Sequence, residues 1–376
     1  MCVDIVPQGM KGCVILNNTG LYIHIPFCAN KCNYCNFYSL IGRDSLIAPY
    51  FNALKDEIAS YPKLNIDTIY FGGGTPTYVG VSNIVKLIDF TLEHHNVENC
   101  EITVECNPKT IDYQGFSELR AAGVNRISIG AQSADDNELK TLGRTHTFSD
   151  FLDCHAAARE AGFDNISVDI MFGLPGQSLH NFDGTLESVA ALDVAHISAY
   201  MLKVEEGTPF YRSNLKLPDD DTVADMYDKM VEYLAEQGFE RYEISNFAKP
   251  GYQSKHNLKY WKCRDYIGVG AAAHSCFDGK RYFNLENVKR YISGKGRARG
   301  TVLEPTPEEF IFLGLRLTEG VSAAEFAEKF KVNLYDYVGD KIRDLAEKGL
   351  LREERGRISI PPELMFVSNS IMCEFI

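Results

Sequence analysis

The sequence reads as an α/β protein, a parallel sheet closed or partly closed and wrapped by helices, followed by a small, mostly helical tail. Three observations lead there. Runs of β-branched and aromatic residues alternate six times with segments of 3.6-residue apolar period. Several of the helical segments stop at a glycine suited to the left-handed residue after a helix, at Gly123, Gly162 and Gly238. After a Gly/Arg/Lys-rich stretch at 294–300 the alternation ceases.

Taken in order, the strands are expected at 21–25, 68–71, 101–105, 126–130, 167–171 and 196–202. The helices between and after them are expected at 45–60, 82–94, 113–122, 149–161 (with a shorter piece before it at 134–142), 179–191 and 222–237. Strand followed by helix six times over implies right-handed crossovers between parallel neighbours. In the tail, 306–317, 322–330 and 334–348 read as helices, the last ended by Gly349. Residues 351–360 read as a hairpin turning at Glu353-Glu354-Arg355-Gly356.

At 376 residues the chain can bury a large core plus an appendage. Its net charge of −13 and pI near 5.2 argue against a general nucleic-acid or anionic-membrane binder, which needs a basic footprint. No apolar run approaches the roughly 18 residues of a spanning helix. The N-terminal residues lack the basic, then apolar, then small pattern of a secretory signal, and Met10 could serve as a start as well as Met1. Eleven cysteines, an odd number without an export signal, fit a reducing compartment better than a disulfide framework, so the expected address is the cytoplasm.

Three of those cysteines, Cys28, Cys32 and Cys35, stand at C-x3-C-x2-C spacing just after the first strand. Thiolates are soft ligands, and four complete an ordinary [4Fe–4S] site. Three leave one iron open to a substrate or cofactor. Structural zinc with His24 as the fourth ligand is the alternative, although His24 alternates with Tyr22 inside a strand and reads better as a barrel-lining residue. Cys2, Cys13, Cys100, Cys106, Cys154, Cys263, Cys276 and Cys373 have no partner spacing and read as buried thiols.

Polar residues mark the ends of the later strands. Gly72-Gly73-Gly74-Thr75 lets backbone N–H groups approach a ligand. Glu105, Gln132, Asp169 and Lys203 close or follow strands three to six. In parallel barrels the C-terminal strand ends form the active face, so these residues should meet the cysteine loop.

With these motifs in hand, the chain resembles the radical S-adenosylmethionine (SAM) superfamily. Within it, the chain is similar to the group containing oxygen-independent coproporphyrinogen III dehydrogenase (HemN) and the heme chaperone HemW. The likeness runs through Tyr22-Ile-His-Ile-Pro-Phe-Cys28, Phe71-Gly-Gly-Gly-Thr-Pro-Thr-Tyr78, Ile129-Gly-Ala-Gln132 and Asp169-Ile-Met-Phe-Gly-Leu-Pro175. It implies a partial (β/α)6 TIM-like barrel holding a [4Fe–4S] cluster on Cys28, Cys32 and Cys35. SAM would chelate the fourth iron and be cleaved to a 5′-deoxyadenosyl radical. By position, Tyr22, Gly73 and Glu105 match residues that hold this SAM. Tyr34, Gly74, Thr75, Gln132, Arg144, Asp169, Lys203 and His274 match positions around a second SAM or the substrate cavity. The implied organisation is an N-terminal extension (1–20), a barrel (21–245), a connecting segment (246–300) and a HemN-like C-terminal domain (301–376).

Two departures separate the relatives. HemN proteins carry a fourth cysteine two places after the third, where this chain has Phe37, and they have a longer N-terminal segment. Conversely, His256-Asn257-Leu258-Lys259-Tyr260-Trp261 matches the H-N-x-x-Y-W motif of HemW-like proteins. Imidazole suits iron and two aromatics could flank a macrocycle, so His256, Tyr260 and Trp261 are candidate heme contacts. Packing of all three against the barrel is the structural alternative. The resemblance implies a heme chaperone with a heme-accepting protein partner and an electron donor such as flavodoxin or ferredoxin. Its rival is oxidative decarboxylation of coproporphyrinogen III.

Overall fold

A computed structural model describes residues 18–297 and 303–376. Strand β1 (Thr19–Ile25) is followed by two short strands, β2 (Phe27–Cys28) and β3 (Leu40–Ile41), which pair in parallel and pinch off the cysteine loop between them. Helix α1 (Ile47–Ser60) leads to β4 (Asn65–Gly73), and α2 (Val81–His94) to β5 (Asn96–Cys106). Helix α3 (Tyr113–Ala121) leads to β6 (Arg126–Gln132), and the pair α4 (Asp136–Thr141) and α5 (Phe148–Glu160) to β7 (Ile166–Phe172). Helix α6 (Leu179–Ala190) then leads to β8 (His196–Met201). Every pairing along β1-β4-β5-β6-β7-β8 is parallel. This is the expected partial (β/α)6 barrel, and Gly123, Gly162 and Gly238 all take positive φ at helix ends.

The sheet runs on past those six strands. After α7 (Asp220–Glu236), β9 (Glu240–Arg241) and β10 (Asn246–Ala248) add antiparallel beyond β8. Helix α8 (Lys255–Trp261) precedes β11 (Tyr266–Val269), which pairs parallel to β1. Strands β12 (His274–Phe277) and β13 (Lys280–Phe283) extend that edge antiparallel, before α9 (Val288–Ile292). Residues 246–300, expected as a connection, therefore supply β10 on one side and the whole β11–β13 margin on the other side of one eleven-stranded sheet, with β9 from the end of the range expected as barrel. These added strands have only two to four residues, too few for a period of two to stand out.

The tail comprises α10 (Pro307–Gly314), β14 (Val321–Ser322), α11 (Ala323–Phe330), α12 (Leu334–Glu347), β15 (Arg352–Glu354), β16 (Arg357–Ser359) and α13 (Ser368–Met372). It has its own core around Phe310, Phe326, Leu334, Ile342 and Ile358. The hairpin turns on Arg355 and Gly356 alone, both at positive φ as a two-residue turn requires, so Glu353 and Glu354 belong to the strand.

Alternation along the barrel strands sorts the residues by face. Leu21, Ile23 and Ile25 of β1, Ile69 and Phe71 of β4, and Ile127 and Ile129 of β6 are buried in the apolar core. Each such side chain contributes about 1.5–3 kcal/mol on burial. The residues between them, Tyr22, His24, Thr68, Tyr70, Thr103, Glu105 and Ser128, form a polar interior. A polar interior is costly unless bonded, and here it is bonded, as the site shows.

Among the other thiols, Cys106, Cys154, Cys263 and Cys276 are buried as expected, whereas Cys100 is half-buried and Cys373 is exposed in the last turn of the chain. Cys2 and Cys13 lie outside the described residues.

Candidate functional site

The cysteine loop is fastened at several points. Asn33 donates its backbone N–H to Leu142 O at 2.9 Å and its amide to Thr141 O at 2.9 Å, while Asn30 donates to Gly143 O at 3.0 Å. Phe210 N–H closes the other side on Asn33 O at 3.0 Å. So held, Cys28, Cys32 and Cys35 all line one cavity of about 410 Å³. Cys28 Sγ accepts from Thr75 Oγ1 and Cys32 Sγ from Arg144 Nη1, both at 3.6 Å. Burial pushes the Cys28 and Cys35 thiols up in pKa.

Glycines place the next wall. Gly74 and Thr75 donate their N–H groups to Ile25 O and Phe27 O, both at 2.9 Å, so the glycine run lies directly against the end of β1. A Cβ on Gly74 would stand 2.8 Å from both those oxygens. Gly73, at φ +111°, points its N–H at Glu105 Oε2, 3.2 Å away. Tyr70 Oη donates to Glu105 Oε1 at 2.9 Å. Burial, with Asp169 nearby, raises the Glu105 pKa to about 7.

The far wall carries Gln132, Arg144 and Asp169. A register shift in β6 between Gly130 and Gln132, with Gln132 at φ +70°, turns that side chain into the cavity. Arg144 is held by Asn107 Oδ1 at 2.5 Å and Gly130 O at 2.8 Å. Asp169 accepts from Ser128 Oγ at 3.2 Å, and burial raises its pKa. Tyr34 lines the same space, and burial also pushes its hydroxyl up. Lys203 stands at the rim, paired with Glu205 at 2.8 Å.

The donor set fits an iron–sulfur cluster with an open iron: three thiols and no carboxylate in the loop, lining a cavity with room for a second group. Among the described residues no three side chains of His, Cys, Asp or Glu close on a single ion. His24, the fourth ligand of the zinc alternative, uses both ring nitrogens, on Tyr22 Oη and Tyr38 O at 3.0 Å each. Burial lowers its pKa to about 4.

Five sequence candidates fall elsewhere. Tyr22 is a layer below the cavity, ringed by His24, Tyr70 and His256. His274 is exposed on the β12 margin, stacked on Phe283 at 5.1 Å, and does not line the cavity. His256 does not face solvent. It is 1% exposed, its Nδ1 pairs with Thr68 Oγ1 and its Nε2 with Tyr260 Oη, both at 2.8 Å. Its backbone N–H meets Glu101 Oε1 at 3.2 Å. Burial lowers the imidazole pKa to about 3. Tyr260 packs edge-on to Tyr266 at 4.6 Å, and Trp261 lies under the Arg316 guanidinium at 4.3 Å. These three residues are structural in this geometry, because the turn of α8 after its Ser254 cap points His256 into the barrel floor. In this geometry the motif takes the packing alternative, with both imidazole nitrogens already bonded.

Sequence reasoning missed Tyr70, Asn107, Tyr200 and Met201. Tyr70 was legible from the alternation of β4. Asn107, which also donates to Thr75 Oγ1 at 2.9 Å, is marked only by its place between a strand end and Pro108.

Comparison with known proteins agrees with this geometry. The radical SAM superfamily model matches residues 22–189 and the HemN C-terminal domain model residues 304–367. The heme chaperone HemW of Bacillus subtilis (strain 168) is 38% identical over 372 residues, covering 94% of this chain and 98% of that protein. The heme chaperone HemW of Escherichia coli (strain K12) is 36% identical over 319 residues, 81% of this chain and 84% of that protein. Radical S-adenosyl methionine domain-containing protein 1, mitochondrial, of Danio rerio is 36% identical, covering 80% of this chain and 73% of its own. Among solved structures, coproporphyrinogen III oxidase (HemN) from Escherichia coli superposes with a TM-score of 0.82 over 95% of this chain and 89% of that one, at 23% identity.

Proposed function

Because the chain belongs to the radical SAM superfamily and, within it, to the family of the heme chaperone HemW, we propose that it binds heme and passes it to an acceptor protein. It would do so while carrying a [4Fe–4S] cluster and SAM. One observation carries this reading: the three thiols and the Gly73–Glu105 pair open onto a single cavity. Cys28, Cys32 and Cys35 would hold the cluster. When bound, the cluster and SAM supply one-electron reduction of a sulfonium, chemistry that no side chain offers.

The chain's own residues bind, orient and shield. Glu105, bonded from one side and open to the cavity on the other, suits the methionyl amine, while the N–H groups of Gly73, Gly74 and Thr75 hold that wall in place against Glu105, Ile25 and Phe27. Arg144 and Asn107 brace the cysteine loop against the far wall, while Tyr34, Gln132 and Asp169 shape the remainder. Tyr22 supports this layer from beneath. His274, His256, Tyr260 and Trp261 are not carried into the site.

An electron donor such as flavodoxin or ferredoxin, a cytoplasmic address and the division at residues 20, 245 and 300 belong to the same reading. Among the described residues no helix is long and apolar enough to cross a membrane.

Anaerobic reconstitution tests the proposal. About four irons and four sulfides per chain, an EPR signal that changes with SAM, and a Soret shift on hemin addition are expected. Zinc without iron, or a cluster signal blind to SAM, would overturn it. Protoporphyrinogen appearing from coproporphyrinogen III, SAM and reductant would replace the chaperone with the dehydrogenase.

A further inference from the structure

Glu105 and Asp169 are both enclosed, and burial together with like charge works against the ionisation of each. A nearby cation has to offset this, and those around the cavity are spent elsewhere. Lys203 pairs with Glu205, Lys31 Nζ bonds Phe37 O, and Arg144 is committed to Asn107, Gly130 O and Cys32 Sγ. One arginine of the barrel interior has no such commitment.

Arg126 is the first residue of β6 and is 1% exposed. Ile127 and Ile129 turn to the apolar core, so Arg126 and Ser128 turn inward. In register, Arg126 stands beside Thr103 and Ser128 beside Glu105, which sets Arg126 one layer beneath Glu105 and beneath the serine that bonds Asp169. Neither its Nε nor its Nη1 has a hydrogen-bond partner among the described residues. Glu101, on the same face of β5 two residues below Thr103, is turned to the floor, where its two oxygens accept the N–H groups of Lys255 and His256 at 3.2 Å each. A guanidinium stays charged at any working pH, and an enclosed one without a partner is costly unless carboxylates around it are ionised. The other groups facing Glu105 are Tyr22 of β1, Tyr70 of β4, Asp169 of β7, Tyr200 of β8, Tyr260 of α8 and its neighbour Cys106, and none of these is a cation.

Resting on the placement of Glu105 at the methionyl amine, we propose that Arg126 is a positioning residue of the SAM site, whose fixed charge, acting from beneath without touching the ligand, keeps Glu105 in the carboxylate form that the amine requires. The action is through space, in an interior where charges are weakly screened.

SAM titrations of the full, anaerobically reconstituted chain between about pH 6 and about pH 9 test this. In Arg126→Met the midpoint of the affinity profile should rise by about one unit. SAM would then bind about fivefold more weakly at pH 7 and equally well at pH 9, with the iron content unchanged. Arg126→Lys returns the charge without the planar fork and should keep the parent's midpoint. Should Arg126→Met fail to fold with Glu101 left unbalanced, Arg126→Met combined with Glu101→Gln removes both charges, and the raised midpoint should persist. A loss of affinity that is the same at pH 7 and pH 9, a midpoint that does not move, or misfolding of both variants would make Arg126 a structural cation and overturn the assignment. A parent chain that binds no SAM overturns the reading of the site itself, and the role of Arg126 with it.

Discussion

The Gly73 backbone N–H and the Glu105 carboxylate meet at 3.2 Å across the ends of β4 and β5. With Tyr70 on its other oxygen, Glu105 is bonded twice from one side and open to the cavity on the other. Burial and the neighbouring Asp169 outweigh those bonds and leave the carboxyl near half-ionisation at neutral pH. Such a group couples ligand binding to protons.

An amine donor is held better by a carboxylate than by the neutral acid. Since the free Glu105 pKa is about 7, SAM affinity should fall as the pH drops below 7, approaching tenfold per unit. Binding at pH 6 must expel the Glu105 proton, so calorimetry in two buffers of different ionisation enthalpy should read release of up to about one proton, fading by about pH 8.5. Glu105→Gln should bind weakly with no such slope. A slope that survives this change would belong to another group.

Gly73→Ala should damage the same site by geometry alone. Its φ of +111° is unfavourable to any side chain, and the new Cβ would lie 2.5 Å from the His24 ring. His24 cannot step aside, being bonded at both nitrogens. The N–H aimed at Glu105 would swing away, and SAM affinity should drop more than tenfold while the cluster's iron content holds. Normal affinity would show that the backbone here yields more easily than a pinned ring allows.

Much of this was legible in the chain itself. Leu21, Ile23 and Ile25 alternate with Tyr22 and His24, which placed His24 inside the barrel, and the C-x3-C-x2-C loop after them advertised its chemistry. The strand ends supplied Glu105, Gln132 and Asp169. Legibility failed where the signal was short or doubly explicable. The two- to four-residue strands β9 to β13 carry no period, so the wide sheet was invisible. His256 has the composition of an iron ligand, and its packed geometry comes from the direction of its helix, with Thr68 and Tyr260 at either nitrogen, which no spacing in the sequence reveals.

Arg144 should set the cluster's reduction potential. Its Nη1 donates to Cys32 Sγ, and a donor to a ligating sulfur favours the reduced, more negative state. Arg144→Met removes that bond, whose worth of about 1 kcal/mol corresponds to a fall of roughly 40 mV in a one-electron couple. An EPR-monitored redox titration without SAM reads this directly. An unmoved midpoint would leave Arg144 as a brace for Asn107 and Gly130 only.

His256 should matter to stability. His256→Ala leaves Thr68 and Tyr260 hydroxyls unpaired beside a new void, costing about 2–4 kcal/mol in urea unfolding. Burial, with Lys259 and Arg126 nearby, keeps the folded pKa at about 3, below the unfolded value, so the neutral ring's contribution is whole above about pH 6.5 and lost as pH falls toward 3. The gap in stability between the parent and His256→Gln should therefore narrow across that window. A gap that stays constant would mean the ring is not enclosed.

Trp261 offers its own gauge, being the single tryptophan of the chain. Arg316 spreads over its ring at 4.3 Å and reaches Glu243 Oε2 at 3.3 Å, joining α8 and the barrel margin to the tail that follows α10. Glu243 is wholly buried, and its other oxygen accepts from Ser245 N–H at 2.8 Å and from the Asn246 amide. Arg316→Ala strips the guanidinium from a buried carboxylate and the cation from the indole together. A fully buried pair broken on one side costs about 3–5 kcal/mol, and Arg316 is partly exposed, so about 2–3 kcal/mol is expected. Tryptophan emission should shift to the red in the native state and report the lower urea midpoint. Arg316→Lys should recover part of the charge and little of the stacking, leaving the emission shifted. Unchanged emission in Arg316→Ala would mean that the indole's cover comes from the barrel and not from this arginine.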